Sequence, residues 1–467
     1  MFINELDDLE DILDSLVFED EPSIFNEENS LDLIETALHL MYEFVNDNPT
    51  IISEPEFLDI LLEEIKEIFY NQFEDKIIEN DEIEDDMDEL LEEALHIFTV
   101  SFNIERSINQ ENIGFIENNE SEDKINIIEQ KIQKLRNAPQ PEQRTPEWYQ
   151  FRWNLITASN AYKAFESQPT INQLIYEKCQ PLKDNIQSNE FDVKLVNTNT
   201  PLHWGQKYEP LSIMLYERDN NAKVEDFGCI QHHKYKFIGA SPDGIVVEKK
   251  SERYGRMLEI KNVVSREITG IPKKEYWIQM QLQMEVCDLN ECDFLETKFV
   301  EYPDSYSYQT DLMINDQSDE NAVDTTISLD GKQKGIIIYF HTKEGKPFYA
   351  YKPLNIKTNN EILEWEENML SLYQSEKYNY TFFKFIYWKL EKLSCVLVLR
   401  NREWFTNNIV QLEKVWKIIE EERITGYEHR APIKKPKKEI CSKPQVLESQ
   451  GCFLKFNKII KIDSYGI

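Results

Sequence analysis

Asp243, Glu259 and Lys261 are the residues of this chain whose types and spacing could do chemistry together. Leu258-Glu259-Ile260-Lys261 alternates apolar and charged side chains with the period of a strand. Glu259 and Lys261 therefore share one face, while Leu258 and Ile260 enter a core. Upstream, Gly239-Ala240-Ser241-Pro242-Asp243-Gly244 reads as a strand running into a tight Pro-Asp-Gly turn. If Asp243 leaves that turn beside Glu259 and Lys261, two carboxylates and one ammonium meet at a point. A hard divalent cation with oxygen ligands suits such a point, with the lysine next to the water it activates.

Other elements must position these groups. The pattern predicts strands over 223–231, 235–240, 245–249, 256–263 and 292–301, with a helix from Lys274 to about Val286 between the last two. That helix carries Tyr276, Gln279, Gln281 and Gln283, and Gln279 and Gln283 fall on one face. A glutamine stripe there is either a polar helix surface or a set of amides beside the lysine. A further helix starts near Leu202-His203-Trp204-Gly205 and carries Glu209 four residues after Gly205, where glycine would let a neighbouring backbone approach. A lone glutamate on a helix is ordinarily solvated, so Glu209 counts only with the others.

Thr145-Pro146-Glu147-Trp148 has a cap followed by proline at the first helical position. The helix it opens carries Arg152, and Ile156-Thr157-Ala158-Ser159 starts the next. A guanidinium fork, two hydroxyls and helix-terminal amides could clamp a phosphate through Arg152, Thr157 and Ser159. Taken alone, Ser159 reads as a helix cap.

At 467 residues the chain has room for two or three cores. Its net charge of −36 is uneven: the first 140 residues hold 40 of the 87 acidic residues and 7 of the 51 basic ones. An acidic front part is thus joined to a nearly neutral body, which can still carry a basic groove. The seven cysteines are scattered without a C-x-x-C pair, which fits reduced thiols and gives no zinc or iron–sulfur framework. No run of eighteen apolar residues occurs, and the acidic opening lacks the basic n-region of a secretory signal, so a soluble intracellular protein without membrane partners is expected.

The expected organisation is an acidic helical domain over 1–137, a linker at 138–143, the strand-rich core over 144–302, a C-terminal α+β extension over 303–428 and a basic tail over 429–467. Helices are expected at 31–45, 53–73, 83–98 and 124–135 in the first unit, and at 360–376 and 403–424 in the extension. Residues 303–333 read as loop, and 335–340 with 348–354 as a hairpin across Glu344-Gly345. The aromatic run 378–399 reads as core, with base-stacking faces as the alternative. The acidic unit is either a partner-binding or nucleic-acid-mimicking module or a solvated appendage. The basic run His429–Lys438 is either a DNA-backbone or nuclear-localisation patch or a solvated tail.

Five pieces in order resemble the viral recombinase family typified by phage lambda exonuclease and YqaJ, within the PD-(D/E)XK nuclease superfamily. They are Glu147-Trp148 with Arg152 and Thr157-Ala158-Ser159, Trp204-Gly205-x-x-Tyr208-Glu209, Ser241-Pro242-Asp243-Gly244, Leu258-Glu259-Ile260-Lys261, and Tyr276-x-x-Gln279-x-Gln281. The resemblance implies an α/β core with a mixed sheet flanked by helices and Mg²⁺-dependent hydrolysis of DNA phosphodiesters from duplex ends, with Mn²⁺ as a substitute. Asp243, Glu259 and the Ile260 carbonyl would then bind metal, and Glu209 would complete the acidic site through a water. Lys261 would orient or deprotonate the attacking water, Gln279 would position it, and Arg152, Thr157 and Ser159 would hold a 5′-terminal phosphate.

The resemblance also implies duplex DNA ends, a single-strand annealing or other recombination protein and further copies of the chain as partners. Its expected setting is viral recombination, repair or genome processing in the host cytoplasm, nucleus or virion. The acidic first 140 residues and the segment after 303 lie outside the phage pattern and match the layout of large-DNA-virus homologues. An endonuclease on the same core and a catalytically inactive docking module are the alternative readings.

Overall fold

The computed structural model describes residues 27–48, 51, 54–79, 82–101, 121–143, 145–182, 197–312 and 324–432. Ser53 and most of the basic run after Pro432 lie outside them.

Three acidic helices come first: α1 (Glu27–Asp47), α2 (Phe57–Glu79) and α3 (Glu82–Ser101). Each turns an apolar stripe inward, and Met41, Leu61, Ile65, Met87, Leu91 and Phe98 close a core that also takes in Val396 and, at its margin, Ile271. Helix α4 (Ser121–Arg136) leads through 137–143 to α5 (Pro146–Trp153). There the expected cap forms: Thr145 Oγ1 accepts from Trp148 N at 3.2 Å, and Pro146 needs no partner. Strand β1 (Ile156–Thr157), the one-turn α6 (Ala158–Ala161) and α7 (Gln168–Cys179) follow, and then α8 (Pro201–Asp219).

The strands sort into two sheets. Strands β1, β3 (Ile230–Gln231) and β4 (Ile238–Ala240) form a small one in the order β1-β4-β3. The large sheet is mixed. It takes β2 (Val224–Glu225), β5 (Gly244–Val246), β6 (Met257–Asn262), β7 (Glu291–Glu301), β8 (Lys334–His341), β9 (Pro347–Tyr351) and β10 (Thr381–Leu399) in the order β2-β5-β6-β7-β10-β8-β9. Within this sheet, among the described residues, only β6 and β7 pair in parallel, joined by the crossover helix α9 (Lys274–Cys287); in the small sheet β1 and β4 do so. A short helix α10 (Ser305–Thr310), then α11 (Asn359–Gln374) and α12 (Arg402–Thr425), complete the chain.

Several expectations change. The strand expected over 223–231 is two short strands in different sheets, β2 and β3. Residues 241–243 are not a hairpin turn, because β4 and β5 do not pair; they carry the chain from one sheet to the other. Gly239 and Gly244 bracket this crossing. A Cβ on Gly239 would stand 2.6 Å from Leu155, and one on Gly244 would overlap Val224, so both glycines serve close packing. Part of 303–333 is helical (α10) rather than loop. The aromatic run 378–399 is mostly the 19-residue strand β10, which pairs with β7 along one edge and β8 along the other. The C-terminal strands thereby extend the same sheet as β5–β7.

Helices cover the sheets. Ile278 and Leu282 of α9 pack with Ile238, Met257 and Phe294 below them, and with Leu412, Trp416 and Ile419 of α12 above. Trp277 meets Trp404 edge-on at 5.3 Å across that helix pair. This packing fixes α9 relative to β6.

Candidate active site

Strand β6 supplies the centre. Leu258 and Ile260 are buried as the alternation requires, and the opposite face carries Glu259 and Lys261. Asp243 joins them because its Oδ2 accepts the Ile260 backbone N–H at 2.7 Å, which pins the crossing segment to the strand. Glu259 is 1% exposed, so its charge needs donors on every side. Oε1 takes Lys261 Nζ and, at 2.8 Å, Gln279 Nε2; Oε2 takes Gln283 Nε2 at 2.7 Å. The two glutamines, one turn apart on α9, grip the carboxylate from below. Lys261 Nζ also lies 4.9 Å from the Tyr276 ring centroid and 3.5 Å from Gln279 Oε1.

Glu209 enters from α8, half-buried and near enough to act on Asp243 electrostatically. Asn262 sets its height. The Asn262 amide donates to Gly205 O at 3.0 Å, one helical turn before Glu209, while Ser212 and Thr297 hydroxyls donate to Asn262 Oδ1 at 2.7 Å each. Among the described residues Gly205 itself has no heavy atom within 4 Å of an added Cβ, so none of their backbone approaches it there, contrary to the expectation from sequence.

The charges do not balance. Burial, then Glu259, lift the Asp243 carboxyl well above the ordinary aspartate range, with Glu209 adding to the lift; Lys261 and the Ile260 N–H oppose it. Burial pulls the Lys261 ammonium down, but Glu259 and Asp243 outweigh it and hold the lysine above its ordinary value. Asp243 and Glu259 thus repel each other, with Glu209 adding to the repulsion on Asp243, and a cation would offset it. Among the described residues no three His, Cys, Asp or Glu side chains form a ready cage for a metal. Asp243 and Glu259 instead fit the sparser mode of Mg²⁺, one or two carboxylates with water and substrate oxygens completing the shell.

The expected phosphate residues lie along the neighbouring small sheet. Pairing of β1 with β4 sets Thr157 opposite Gly239, four residues before Asp243. Thr157 Oγ1 and Ser159 Oγ stand 3.4 Å apart. Thr157, not Ser159, occupies the N-cap position of α6, and neither caps it through its side chain; Ser159 is exposed. The Arg152 guanidinium is 4.6 Å from the Trp148 ring centroid and lies beside the buried Cys229 thiol, which Ser241 also flanks. Burial pushes that thiol up, against the pull of Arg152, Ser241 and Lys178.

Several contributors went unassigned from sequence. Gln283 was legible only as the next turn after Gln279. Ser241, two residues before Asp243, buries its Oγ beside the Cys229 thiol. Lys178 Nζ donates to Arg152 O at 2.9 Å, and burial, then Arg152 and Arg423, lower it to about 8. Arg423 of α12 donates to Trp153 O at 2.6 Å and to Lys178 O at 2.8 Å. Gln281, part of the expected pattern, is structural: its amide bridges Leu399 O and Asn401 N at 2.8 and 2.6 Å.

Residues 147–290 match the model of the YqaJ-like viral recombinase domain. An uncharacterised protein of Acanthamoeba polyphaga mimivirus is 30% identical over 313 residues, covering 61% of this chain and 54% of the relative, so the chain spans about half that relative's length. Among solved structures, an alkaline exonuclease from Laribacter hongkongensis aligns over 60% of this chain and 94% of its own, with 17% identity and a TM-score of 0.32. A phage-related exonuclease from Haemophilus somnus aligns over 57% and 94%, with 12% identity and a TM-score of 0.27. The chain thus carries Asp243 and Glu259-x-Lys261 on adjoining segments of a mixed sheet flanked by helices.

Proposed function

We propose, from the match of residues 147–290 to the YqaJ-like viral recombinase domain, that this chain is a metal-dependent DNA exonuclease acting on duplex ends. The observation that carries the reading is the Asp243–Glu259–Lys261 cluster, pinned by the Ile260 N–H and backed by Gln279 and Gln283. A divalent cation, Mg²⁺ or Mn²⁺, bound by Asp243, Glu259 and the Ile260 carbonyl, with Glu209 acting through a water, would supply Lewis acidity toward water and phosphate.

The remaining work falls to the chain's own side chains. Asp243 and Glu259 fix the depth at which a phosphate can sit. Lys261, held protonated by those carboxylates, gives an ammonium that orients the attacking water and stabilises charge growing on the phosphate oxygens. Gln279, bonded to Glu259 and within reach of the lysine, keeps both in register. Arg152, Thr157 and Ser159, with Ser241 beside them, form the subsite for a 5′-terminal phosphate, which favours ends over internal bonds.

In this reading the acidic unit 1–137 and the linker 138–143 stand apart from the chemistry. The nuclease core 144–302 shares its sheet with the extension 303–428, and the segment 429–467 is a basic tail. Duplex ends are the substrate, a strand-annealing or other recombination protein is the partner, and viral recombination, repair or genome processing is the setting.

The deciding experiment gives the full chain Mg²⁺ with linear and closed circular duplex, each linear end carrying either 5′-phosphate or 5′-hydroxyl. Linear DNA with 5′-phosphate should disappear, circles should persist, and Asp243→Asn or Lys261→Ala should abolish the loss. Equal cutting of circles would move the reading to an endonuclease on the same core. DNA binding without hydrolysis in Mg²⁺ or Mn²⁺ would leave only a docking module.

A further inference from the structure

The acidic helices are docked on the body, and strand register shows where. Their core closes over Val396 of β10, fully buried and grouped with Met41, Leu61 and Phe98, while Ile271 packs at its margin. Glu259 of β6 pairs with Phe294 of β7, and Phe294 with Val396, so the three side chains stand in one row on one face of the sheet. Two strand spacings put Val396 about 10 Å from Glu259. The start of α9 divides the catalytic cluster from the acidic unit. The Tyr276 ring centroid lies 5.8 Å from that of Phe294 and 4.9 Å from Lys261 Nζ. Two residues earlier, Lys274 reaches Glu56 at 3.7 Å.

Helices α1–α3 hold 21 acidic residues and two basic ones. Asp59 and Glu63, both exposed, follow Glu56 at the spacing of one helical face. The sheet face beside them carries the opposite charge. Lys261 pairs in register with Glu296, and two residues further along β7 Lys298 stands opposite Lys392 of β10. Like charges directly opposed on neighbouring strands are unfavourable, and an anion lying over them offsets this.

We infer that the acidic three-helix unit is a built-in competitor of DNA. Docked beside the catalytic cluster, it sets a fixed polyanion against the face that a nucleic-acid backbone would approach, and so holds down binding of duplex at low salt. Its reach is the Debye length, about 14 Å at 50 mM salt and about 6 Å at 300 mM, which brackets the distance to Glu259. A cationic groove alone loses DNA affinity steeply as salt rises, and the docked unit flattens that slope. The inference rests on the nuclease reading for its ligand and on strand register for its place.

The test uses the full chain with Asp243→Asn, which leaves bound DNA uncut, and titrates a linear duplex at about 50 and about 300 mM salt. Two variants are compared with it. Asp59→Asn with Glu63→Gln removes exposed charge and leaves the dock in place. Glu56→Gln with Ile271→Ser loosens the dock at its rim and leaves Val396 alone. Each should bind duplex about tenfold more tightly than the parent at the lower salt, and the gap should close at the higher. The same two-charge change at Glu364 and Glu367, exposed on α11, should leave the dissociation constant within about twofold. Equal tightening by that control would assign the effect to net charge, and no tightening by either variant would leave the unit a structural cover; both overturn the inference. Hydrolysis by chains that keep Asp243 is scored separately. Tighter binding without hydrolysis sinks only the nuclease reading, and hydrolysis with unchanged binding sinks only the competitor.

Discussion

Gln283 donates to Glu259 Oε2 at 2.7 Å, on the carboxylate oxygen opposite the one shared by Lys261 and Gln279. Glu259 is buried, and Gln283 is its only hydrogen-bond donor on that side among the described residues. A hydrogen bond to a buried charge contributes about 1.5–3 kcal/mol. Gln283→Leu should therefore lower the urea unfolding midpoint by a loss in that range. It should also reduce hydrolysis at least about tenfold, since the carboxylate would turn toward Lys261. A variant matching the parent in both midpoint and rate would show that Gln283 is a bystander.

Arg423 reaches the segment that carries Arg152, proposed above to hold a phosphate, from far along the chain. Its guanidinium lies 3.4 Å from the Trp153 ring centroid and bonds the carbonyls of Trp153 and Lys178, while Lys178 holds the carbonyl of Arg152. Arg152 is thus presented by a helix end that α12 ties down. Arg423→Met should cut the rate ratio between 5′-phosphate and 5′-hydroxyl ends several-fold, about 1 kcal/mol of lost orientation. Cleavage of 5′-hydroxyl ends should hold near the parent rate. A uniform fall on both substrates would assign Arg423 to stability alone.

How much of this was legible depended on whether the signal was local. The alternation of Leu258-Glu259-Ile260-Lys261 and the Thr145-Pro146 helix start are written within four residues, and both form as read. The path of Ser241-Pro242-Asp243 was not legible, because turn chemistry is the same whether the flanking strands pair or part into two sheets. Strand β10 hid behind its partners: paired on both edges and packed on both faces over part of its length, it lacks a simple alternation. Asn262 and Arg423 take their roles from residues 57 and 270 positions away, which no spacing rule reaches.

Gly205 separates a packing role from a substrate role. It sits inside α8, where glycine costs a helix about 1 kcal/mol relative to alanine, and no described residue crowds its missing Cβ. Gly205→Ala should raise thermal stability by up to that amount. If a DNA strand passes over this surface, the same methyl should lower kcat/KM on linear duplex. Measuring both on one preparation separates the cases: a more stable protein with unchanged kcat/KM would remove the strand from this face.

Glu54 gives a pH dependence far from the candidate site. Burial, and then the neighbouring Glu56, raise its carboxyl to about 7, while Glu56 itself reaches Lys274 at the start of α9 at 3.7 Å. A carboxyl raised on folding favours the folded state below its unfolded value near 4.5, and that contribution is lost as pH rises through 7. Between pH 5 and 8 the folded chain must therefore give up a proton that the unfolded chain has already released, so stability falls. The self-repulsion of the acidic front part falls the same way, and a variant is needed to isolate Glu54. Glu54→Gln cannot ionise, so thermal melts at pH 5.5 and 8.5 should show a smaller loss than in the parent, by about 1 kcal/mol after solvent screening. Parallel pH profiles for the two proteins would mean that Glu54 ionises as freely in the folded chain as in the unfolded one.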